Sequence, residues 1–115
     1  EERDHARLLI DYQNKRGGKV KLSTISKPEA ELKESQNVWD AFEYALLIEK
    51  IVNKQLLELH KIAEDNNDPQ CQDFLEGTLL NEQIDAISEL SKILSQLKMI
   101  GNNTYGIWEF INKLD

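Results

Sequence analysis

One stretch of the sequence, NVWDAFEYALLIEKIVNKQLLELHKIAE at residues 37–64, decides the fold. It contains no Gly or Pro, and its apolar residues recur at alternating steps of four and three, the spacing of one face of an α-helix. The positions of that face are Val38, Phe42, Ala45, Val52, Leu56, Leu59 and Ala63. A helix of about 28 residues is about 42 Å long. A helix of this length predicts an elongated bundle.

Turn residues before this stretch predict a first helix and a long loop. Residues 1–15 are expected to be helical and to end at Gly17-Gly18, because a glycine after a helix adopts the left-handed backbone that closes it. Residues 19–35 contain Pro28 and several β-branched side chains, which disfavour a helix. A loop of this length predicts an irregular crossing between distant helix ends.

Two further helices are predicted after the long one. Asp68 suits the N-cap of a helix and Pro69 suits its first position, so a helix is expected from there to about Met99. A short apolar segment, Ile107 to Leu114, follows. Because no alternation typical of strands occurs, the predicted fold class is all-α, with a single domain over residues 1–115.

Charge and composition exclude several classes of function. Fourteen Lys and Arg residues against 21 Asp and Glu residues give a net charge of −7. This argues against nucleic acid as a partner, since its phosphates need a basic surface. No apolar run approaches the roughly 18 residues that cross a bilayer, so no membrane partner is expected. The lone Cys71 forms neither an internal disulfide nor a cysteine-based zinc cluster.

Each of the three long helices places a polar group on its apolar face. These residues are Glu49 in the long helix, Gln83 in the third helix, and His5 and Glu2 at the start of the first. An ionised carboxylate on a core face is costly unless it is paired or bound to a metal. A Glu and a His three residues apart share one helix face. Carboxylate and imidazole groups together inside a bundle favour iron or manganese over zinc.

Other interpretations fit the same residues. A Glu-x-x-His pair is common on solvated helix faces. Glu49 is also compatible with an ion pair to a Lys or Arg of a neighbouring helix, and Gln83 with a buried amide that is hydrogen-bonded to the backbone. Three interruptions, one on each helix face, are harder to explain in this way, so a metal site inside the bundle stays open beside these interpretations.

The sequence resembles the heavy-type subunit of eukaryotic ferritins. The matching stretches, in family order, are EERDHA (1–6), YQNKRGG (12–18), LLELHK (56–61), NDP (67–69) and LNEQ (80–83), and together they cover essentially the whole chain. The resemblance implies a ferritin-like four-helix bundle with a long crossover loop and a short fifth helix. Residues 1–15 resemble the second half of the family's second helix, 37–64 its third, 69–99 its fourth and 105–115 its fifth.

The function that this resemblance implies is iron storage with ferroxidase activity. Such subunits form a 24-mer cage, in which ferrous iron is oxidised by oxygen at a two-iron centre inside each bundle and stored as a ferric mineral. By the same resemblance, Glu2 would bridge the two irons, His5 would bind the first and Glu49 the second. Gln83 would be a weak ligand, or would hydrogen-bond water or dioxygen near the centre.

Further positions resemble the channel and the inner surface of the cage. Asp73 and Glu76 match the acids that line the family's three-fold channel, and His60 matches a residue near it. The family often carries Cys in this channel where this chain has Gln72, so no channel role is assigned to Cys71.

Cavity and interface positions also have counterparts. Glu1 and Asp4 match cavity-facing acids that help mineral nucleation, but Arg7 replaces the next acid, which would weaken that patch. The apolar segment around Trp108 matches the helix at the family's four-fold axis and predicts an interface between subunits.

One part of the family's sequence has no counterpart in this chain. The first helix and the start of the second are not found, and they carry another carboxylate ligand of the first iron. The chain would then be a nicked subunit with its N-terminal fragment bound, a truncated form completed by a swapped copy, or a partial sequence of an intact subunit. All three predict that a neighbouring polypeptide packs on the face made by Leu9, Tyr12 and the long helix.

Two classes of function follow from these observations. The first is a ferroxidase that works in a homo- or hetero-oligomer of ferritin chains, provided that another polypeptide supplies the missing helix. The alternative is a non-catalytic assembly subunit, structural or chaperone-like. The Glu-x-x-His pair, Glu49 and Gln83 favour the first, and the net charge disfavours a DNA-binding mini-ferritin. The cytoplasm, the family's usual compartment, is expected, and secreted relatives would carry their signal in the missing part.

Overall fold

The structure is a computed structural model that describes residues 2–24 and 38–114, with the backbone alone at Glu2. Within these ranges the chain forms helices and no strands, so the all-α prediction is confirmed there. The elements are α1 (Glu2–Lys15), α2 (Val38–Asp65), α3 (Pro69–Phe74), a π-helical segment (Leu75–Leu79), α4 (Leu80–Ile100) and α5 (Thr104–Lys113). Of the predicted crossing loop, residues 19–24 have no regular structure and 25–35 lie outside the described residues. None of the described helices combines the length and the apolarity needed to cross a membrane.

Local chemistry ends the helices where the sequence predicts. Gly17 after α1 (φ +86°) and Gly101 after α4 (φ +69°) both adopt the left-handed backbone that glycine tolerates at no steric cost. Asp68 is the N-cap of α3, because its carboxylate accepts a hydrogen bond from the Cys71 backbone N–H at 3.1 Å. Pro69 occupies the first position of that helix, where its missing N–H costs nothing.

The helix predicted over residues 69–99 is helical throughout, but a π turn that the sequence did not predict lies within it, between α3 and α4. The Leu80 N–H donates to the Leu75 carbonyl, five residues back, instead of the usual four. Thr78 Oγ1 donates to the Phe74 carbonyl at 2.5 Å, which satisfies an acceptor beside the π turn. Gly77 at its centre is a weak helix former. The π turn therefore adds one residue to the helix between α3 and α4.

The core lies where α2 packs along α4 and against α3. The buried side chains of the described residues are Ala63, Leu75, Leu79, Gln83 and Leu97. The predicted faces are therefore confirmed at Ala63 on α2, at Leu79 on the π segment, and at Gln83 and Leu97 on α4. Leu59 and Leu9, which belong to the same predicted faces, stay 40% and 39% exposed.

Side-chain contacts hold the C-terminal end of α1 against the start of α3. Tyr12 stacks on Phe74 with ring centroids 4.0 Å apart, and its hydroxyl donates to Gln70 Oε1 at 2.6 Å. Arg16 donates through two nitrogens to the two carboxylate oxygens of Asp68, at 2.8 Å and 3.1 Å. A bidentate pair fixes the relative orientation of the guanidinium and the carboxylate as well as their distance. The Arg16–Asp68 pair therefore fixes the position of the C-terminal end of α1 relative to α3.

The Arg16–Asp68 ion pair makes the contact between α1 and α3 dependent on pH. The Arg16 guanidinium, helped by the Cys71 N–H, lowers the pKa of the Asp68 carboxyl below its ordinary value of 3.8. An acid whose pKa is lower in the folded state stabilises the fold above its ordinary pKa. That stabilisation is lost as the pH falls through the lowered pKa.

We expect Arg16→Gln to lower the urea midpoint of unfolding at neutral pH, because Asp68 then loses its cation. The difference from wild type should shrink as the pH falls from 3.8 through the lowered pKa of Asp68, below which the carboxyl is protonated in both proteins. Lys61→Gln is the control, since Lys61 pairs with Asp65 inside one exposed helix turn and such pairs contribute little. Equal decreases of the urea midpoint in the two variants would contradict a stabilising Arg16–Asp68 ion pair. A decrease in Arg16→Gln that persists in acid would also contradict it.

Candidate metal centre

His5 lies near the start of α1 and contacts the first turn of α4. Its imidazole Nε2 is in hydrogen-bond contact with the Oε2 atom of Glu82. The His5 side chain is only 16% exposed, whereas the Glu82 side chain is 53% exposed. The contact joins two helices through a mostly buried imidazole and a carboxylate that still reaches solvent.

Glu49 lies on α2 and is half-buried against α4. The Nε2 of Gln83 donates to the Glu49 carboxylate Oε2 at 2.9 Å and to the Glu49 backbone carbonyl at 3.1 Å. Gln83 itself is 3% exposed, so its amide is fixed in the core. Gln83 is therefore a buried amide bonded to the backbone, as one sequence interpretation held, and the same amide also orients the Glu49 carboxylate.

The two contacts converge on adjacent residues of α4. Successive residues of an α-helix point about 100° apart. Glu82 therefore reaches α1 while Gln83 reaches α2. The result is that His5 and Glu49, predicted ligands from separate helices, are both held by one turn of α4.

The rest of the predicted ligand set is not tested. α1 begins at Glu2, one turn before His5 and on the same face, but the side chain of Glu2 and the whole of Glu1 lie outside the described residues. Among the side chains of residues 3–24 and 38–114, no three from His, Cys, Asp or Glu come close enough together to hold a metal ion. Asp4 is exposed on α1. Its proposed part in mineral nucleation stays a prediction.

Sequence reasoning missed Glu82 as a site residue. Its partner His5 lies 77 positions away in the chain. Its own helix gives no sign of a role, because Glu82 lies beside the apolar face that contains Leu79 and Gln83 and is not part of it. The only available signal was its position next to Gln83 in the LNEQ stretch.

The predicted channel residues are partly brought together. His60 Nε2 on α2 lies 2.9 Å from Glu76 Oε1 on the π segment. Asp73 is exposed on α3, one turn before Glu76. Cys71 is a free, half-buried thiol. Since a channel needs several chains, its residues stay a prediction.

Among the residues that the structure describes, the face predicted to receive a neighbouring polypeptide is partly exposed. An open cavity of about 430 Å³ lies beside the end of α1. Its lining residues are Tyr12, Gln13, Arg16, Gly18, Leu59, Asp68 and Cys71. Leu9 is also exposed on this side of α1. The partner itself stays a prediction.

A half-buried carboxylate and an imidazole, held by one turn of a third helix inside a bundle, are typical of the ferritin-like class of proteins. The chain matches the ferritin family, described as a ferritin-like domain, over residues 1–100, and it belongs to this family. The resemblance noted in the sequence is therefore confirmed, and so is the ferritin-like fold.

Plant proteins are among the most similar relatives. Ferritin-3, chloroplastic, of Arabidopsis thaliana is 47% identical over 99% of this chain and 44% of the relative. Ferritin-3, chloroplastic, of Glycine max is 46% identical over 96% of this chain and 43% of the relative. Ferritin-1, chloroplastic, of Brassica napus is 44% identical over 96% of this chain and 44% of the relative. The chain thus spans less than half the length of these relatives.

The expectation of a cytoplasmic protein is wrong. The relatives are named chloroplastic ferritins, which points to a plastid instead. The expectation was taken from the family's usual compartment. The residues of a helical bundle could not correct it, because their packing does not depend on the organelle.

Replacing the buried amide tests its part in the site. We expect Gln83→Leu to lower the free energy of unfolding by about 1–3 kcal/mol in metal-free protein, because the half-buried Glu49 carboxylate loses this donor and the Glu49 carbonyl loses the bond that it accepts in addition to its helical one. Gln55→Leu, the same change at an exposed position of α2, should alter it by about 0.5 kcal/mol or less. Urea denaturation measures both. A Gln83→Leu protein as stable as wild type would mean that the amide does not orient Glu49.

Proposed function

We propose that this chain serves in an iron-storing ferritin that oxidises ferrous iron with dioxygen at a two-iron centre and stores the product as a ferric mineral. The observation that carries the proposal is the convergence of His5 and Glu49 on one turn of α4. Membership of the ferritin family and the names of the relatives support it.

The reaction treats iron as substrate. Two Fe²⁺ ions each give one electron to one O₂ molecule, which leaves as hydrogen peroxide. With four water molecules, the balanced products are two FeO(OH) units, one H₂O₂ and four protons. In this proposal Glu2 bridges the two ions, His5 binds the first and Glu49 the second. Gln83 acts as a weak ligand, or as a donor to water or dioxygen at the centre.

The residues suit this chemistry for physical reasons. Carboxylates are hard, anionic ligands and therefore stabilise the higher charge of Fe³⁺. The half-buried position of Glu49 strengthens its attraction for a cation, since charges interact more strongly where water is scarce. The Gln83 amide holds one Glu49 oxygen in place, which leaves the carboxylate pre-oriented before iron arrives.

The proposed centre predicts which variants lose activity. His5→Ala and Glu49→Gln should each slow aerobic oxidation of Fe²⁺ about tenfold or more, because each removes a ligand. Glu58→Gln is the matched control, since it removes an exposed carboxylate from the same helix as Glu49. The initial rate of ferric product formation, followed by absorbance, measures the effect.

Oxidation at the wild-type rate in both site variants would reject the centre. The chain would then fit the alternative of a non-catalytic assembly subunit. A loss in Glu58→Gln equal to that in Glu49→Gln would mean that charge in general, rather than a site, sets the rate.

The proposal includes a 24-mer cage located in a plastid. The stacked rings of Tyr105 and Trp108 on α5 are 69% and 61% exposed, and an interface at the four-fold axis would cover them. A second polypeptide, either another copy or an N-terminal fragment, would cover the open face at Leu9 and Tyr12 and complete the bundle. Glu1 and Asp4 would contribute to nucleation on the inner surface.

Asp73, Glu76 and His60 are proposed to line a channel at the three-fold axis. Three copies of Asp73 and Glu76 would form a ring of six carboxylates, which raises the local concentration of cations. The contact of His60 with Glu76 supports this placement, because it holds one carboxylate near the end of α2.

The channel can be tested by its charge. Asp73→Asn with Glu76→Gln should slow oxidation a few-fold at low Fe²⁺ concentration and leave it unchanged at saturating Fe²⁺, because only delivery is affected. Added salt should shrink the difference. The control, Glu64→Gln with Asp65→Asn, removes the same charge from the exposed end of α2. It should oxidise Fe²⁺ at the wild-type rate at every Fe²⁺ concentration, with or without added salt. Identical behaviour of the two double variants would contradict a channel role.

A further inference from the structure

The turn between α4 and α5 contains two consecutive asparagines, Asn102 and Asn103. Gly101 ends α4, and its N–H donates to the Leu97 carbonyl at 3.0 Å. Asn103 is the N-cap of α5, because its side-chain oxygen accepts a hydrogen bond from the Gly106 N–H at 3.0 Å. Asn102 lies between these two positions and is exposed. Neither helix end uses its side chain.

An asparagine side chain can react with the backbone that follows it. The backbone nitrogen of the next residue, after losing its proton to hydroxide, attacks the side-chain carbonyl carbon and closes a five-membered succinimide ring. As this C–N bond forms, the bond to the side-chain nitrogen breaks, and that nitrogen leaves as ammonia. Water then opens the ring at either carbonyl and gives aspartate or isoaspartate. The net reaction consumes one water and releases one ammonia, and this chemistry makes asparagine a thermolabile residue.

Hydrogen bonds decide how readily the ring closes. The reaction needs a backbone N–H that is not donating and a side-chain amide that can turn towards it, since any bond of either group must first break. In the part of the chain that the structure describes, neither the Asn102 side chain nor the Asn103 backbone N–H has a hydrogen-bond partner. Both reacting groups are therefore ready at Asn102 without the loss of another contact.

The same dipeptide occurs between α2 and α3, where both reacting groups are bonded. The Asn66 side chain donates to the Ile62 carbonyl at 2.8 Å. The backbone N–H of Asn67 donates to the Glu64 carbonyl at 3.0 Å. Ring closure at Asn66 would have to break both bonds. The two Asn-Asn pairs thus share a sequence and differ in hydrogen bonding, so a comparison between them isolates the effect of the fold.

Isoaspartate at this position would alter the start of α5. It carries the chain through the side-chain carbons, so it adds one atom to the backbone just before Asn103. The first turn of α5 already packs closely on the end of α4, because a Cβ added to Gly106 would lie 2.9 Å from Ile100 Cγ2. The longer backbone would therefore displace the oxygen of Asn103 from the Gly106 N–H.

We propose that Asn102 is a deamidation site of this chain, where water replaces the side-chain amide, and that isoaspartate formed there releases the N-cap of α5. The fold selects this asparagine over Asn66, because it leaves both reacting groups unbonded. Alkaline pH speeds the reaction, since the attacking nitrogen must lose a proton. The reaction needs no iron, so this site and the proposed function can fail separately.

Ageing of the purified protein in H₂¹⁸O at mildly alkaline pH tests the site. Digestion in acid and mass spectrometry with electron-transfer fragmentation then locate the incorporated ¹⁸O and distinguish isoaspartate from aspartate. We expect residue 102 to incorporate ¹⁸O about tenfold or more faster than residue 66, because two hydrogen bonds must break at Asn66. In urea-unfolded protein the two rates should become similar. Equal rates in the folded protein would overturn the site.

The Gly106 amide signal in ¹⁵N NMR tests the effect on α5. A second Gly106 signal should grow in step with the isoaspartate content of aged wild-type protein. Asn102→Gln, aged in the same way, should keep a single signal, because its longer side chain closes a ring far more slowly. Asn102→Asp adds the charge without the extra backbone atom and should also keep one signal. An unchanged Gly106 signal in the isoaspartate form would overturn the release of the N-cap.

Discussion

The double hydrogen bond from the Gln83 amide to Glu49 is the contact on which the geometry of the site depends. A buried amide and a half-buried carboxylate are each costly without a partner, and here each satisfies the other. Because the amide also bonds the Glu49 backbone carbonyl, α4 cannot slide or rotate along α2 without breaking both bonds. The register of the two helices is therefore specified by polar atoms inside an otherwise apolar contact, and the adjacent residue, Glu82, inherits that precision when it reaches α1.

Much of this arrangement could be predicted from the sequence because it is local. The spacing of apolar residues predicted the helices, the polar interruptions predicted that Gln83 and Glu49 face the core, and Asp68 with Pro69 predicted the start of α3. Other features depend on groups far apart in the chain. The contact of Glu82 with His5 needs α1 to lie beside α4, and the exposure of Leu9 and Leu59 depends on which neighbour covers them. The periodicity of one helix predicts neither its contacts with a distant helix nor the neighbour that covers its exposed face.

The compartment was predicted wrongly for a different reason. Packing, capping and metal ligation depend on the residues of the folded domain, and these requirements are the same in the cytoplasm and in a plastid. Targeting signals are separate segments of a protein, and they do not change the residues that a helical bundle needs. The relatives are named chloroplastic and point to a plastid through shared ancestry, whereas no helix described here requires that compartment.

The π turn at Leu75–Leu79 separates two surfaces along one continuous helix. Each residue added to an α-helix rotates everything beyond it by about 100°. A π turn takes up its extra residue within one wider turn. Asp73 before the turn and the polar pair Glu82 and Gln83 after it therefore keep the relative orientation that an α-helix one residue shorter would give them. Evolution or engineering can lose one residue at this place and return to a plain α-helix with both surfaces still aligned to their own neighbours. The same loss one or two turns further along α4 would rotate Leu97 out of the core. The turn is therefore the place where this helix can gain or lose one residue without changing the orientation of the side chains on either side of it.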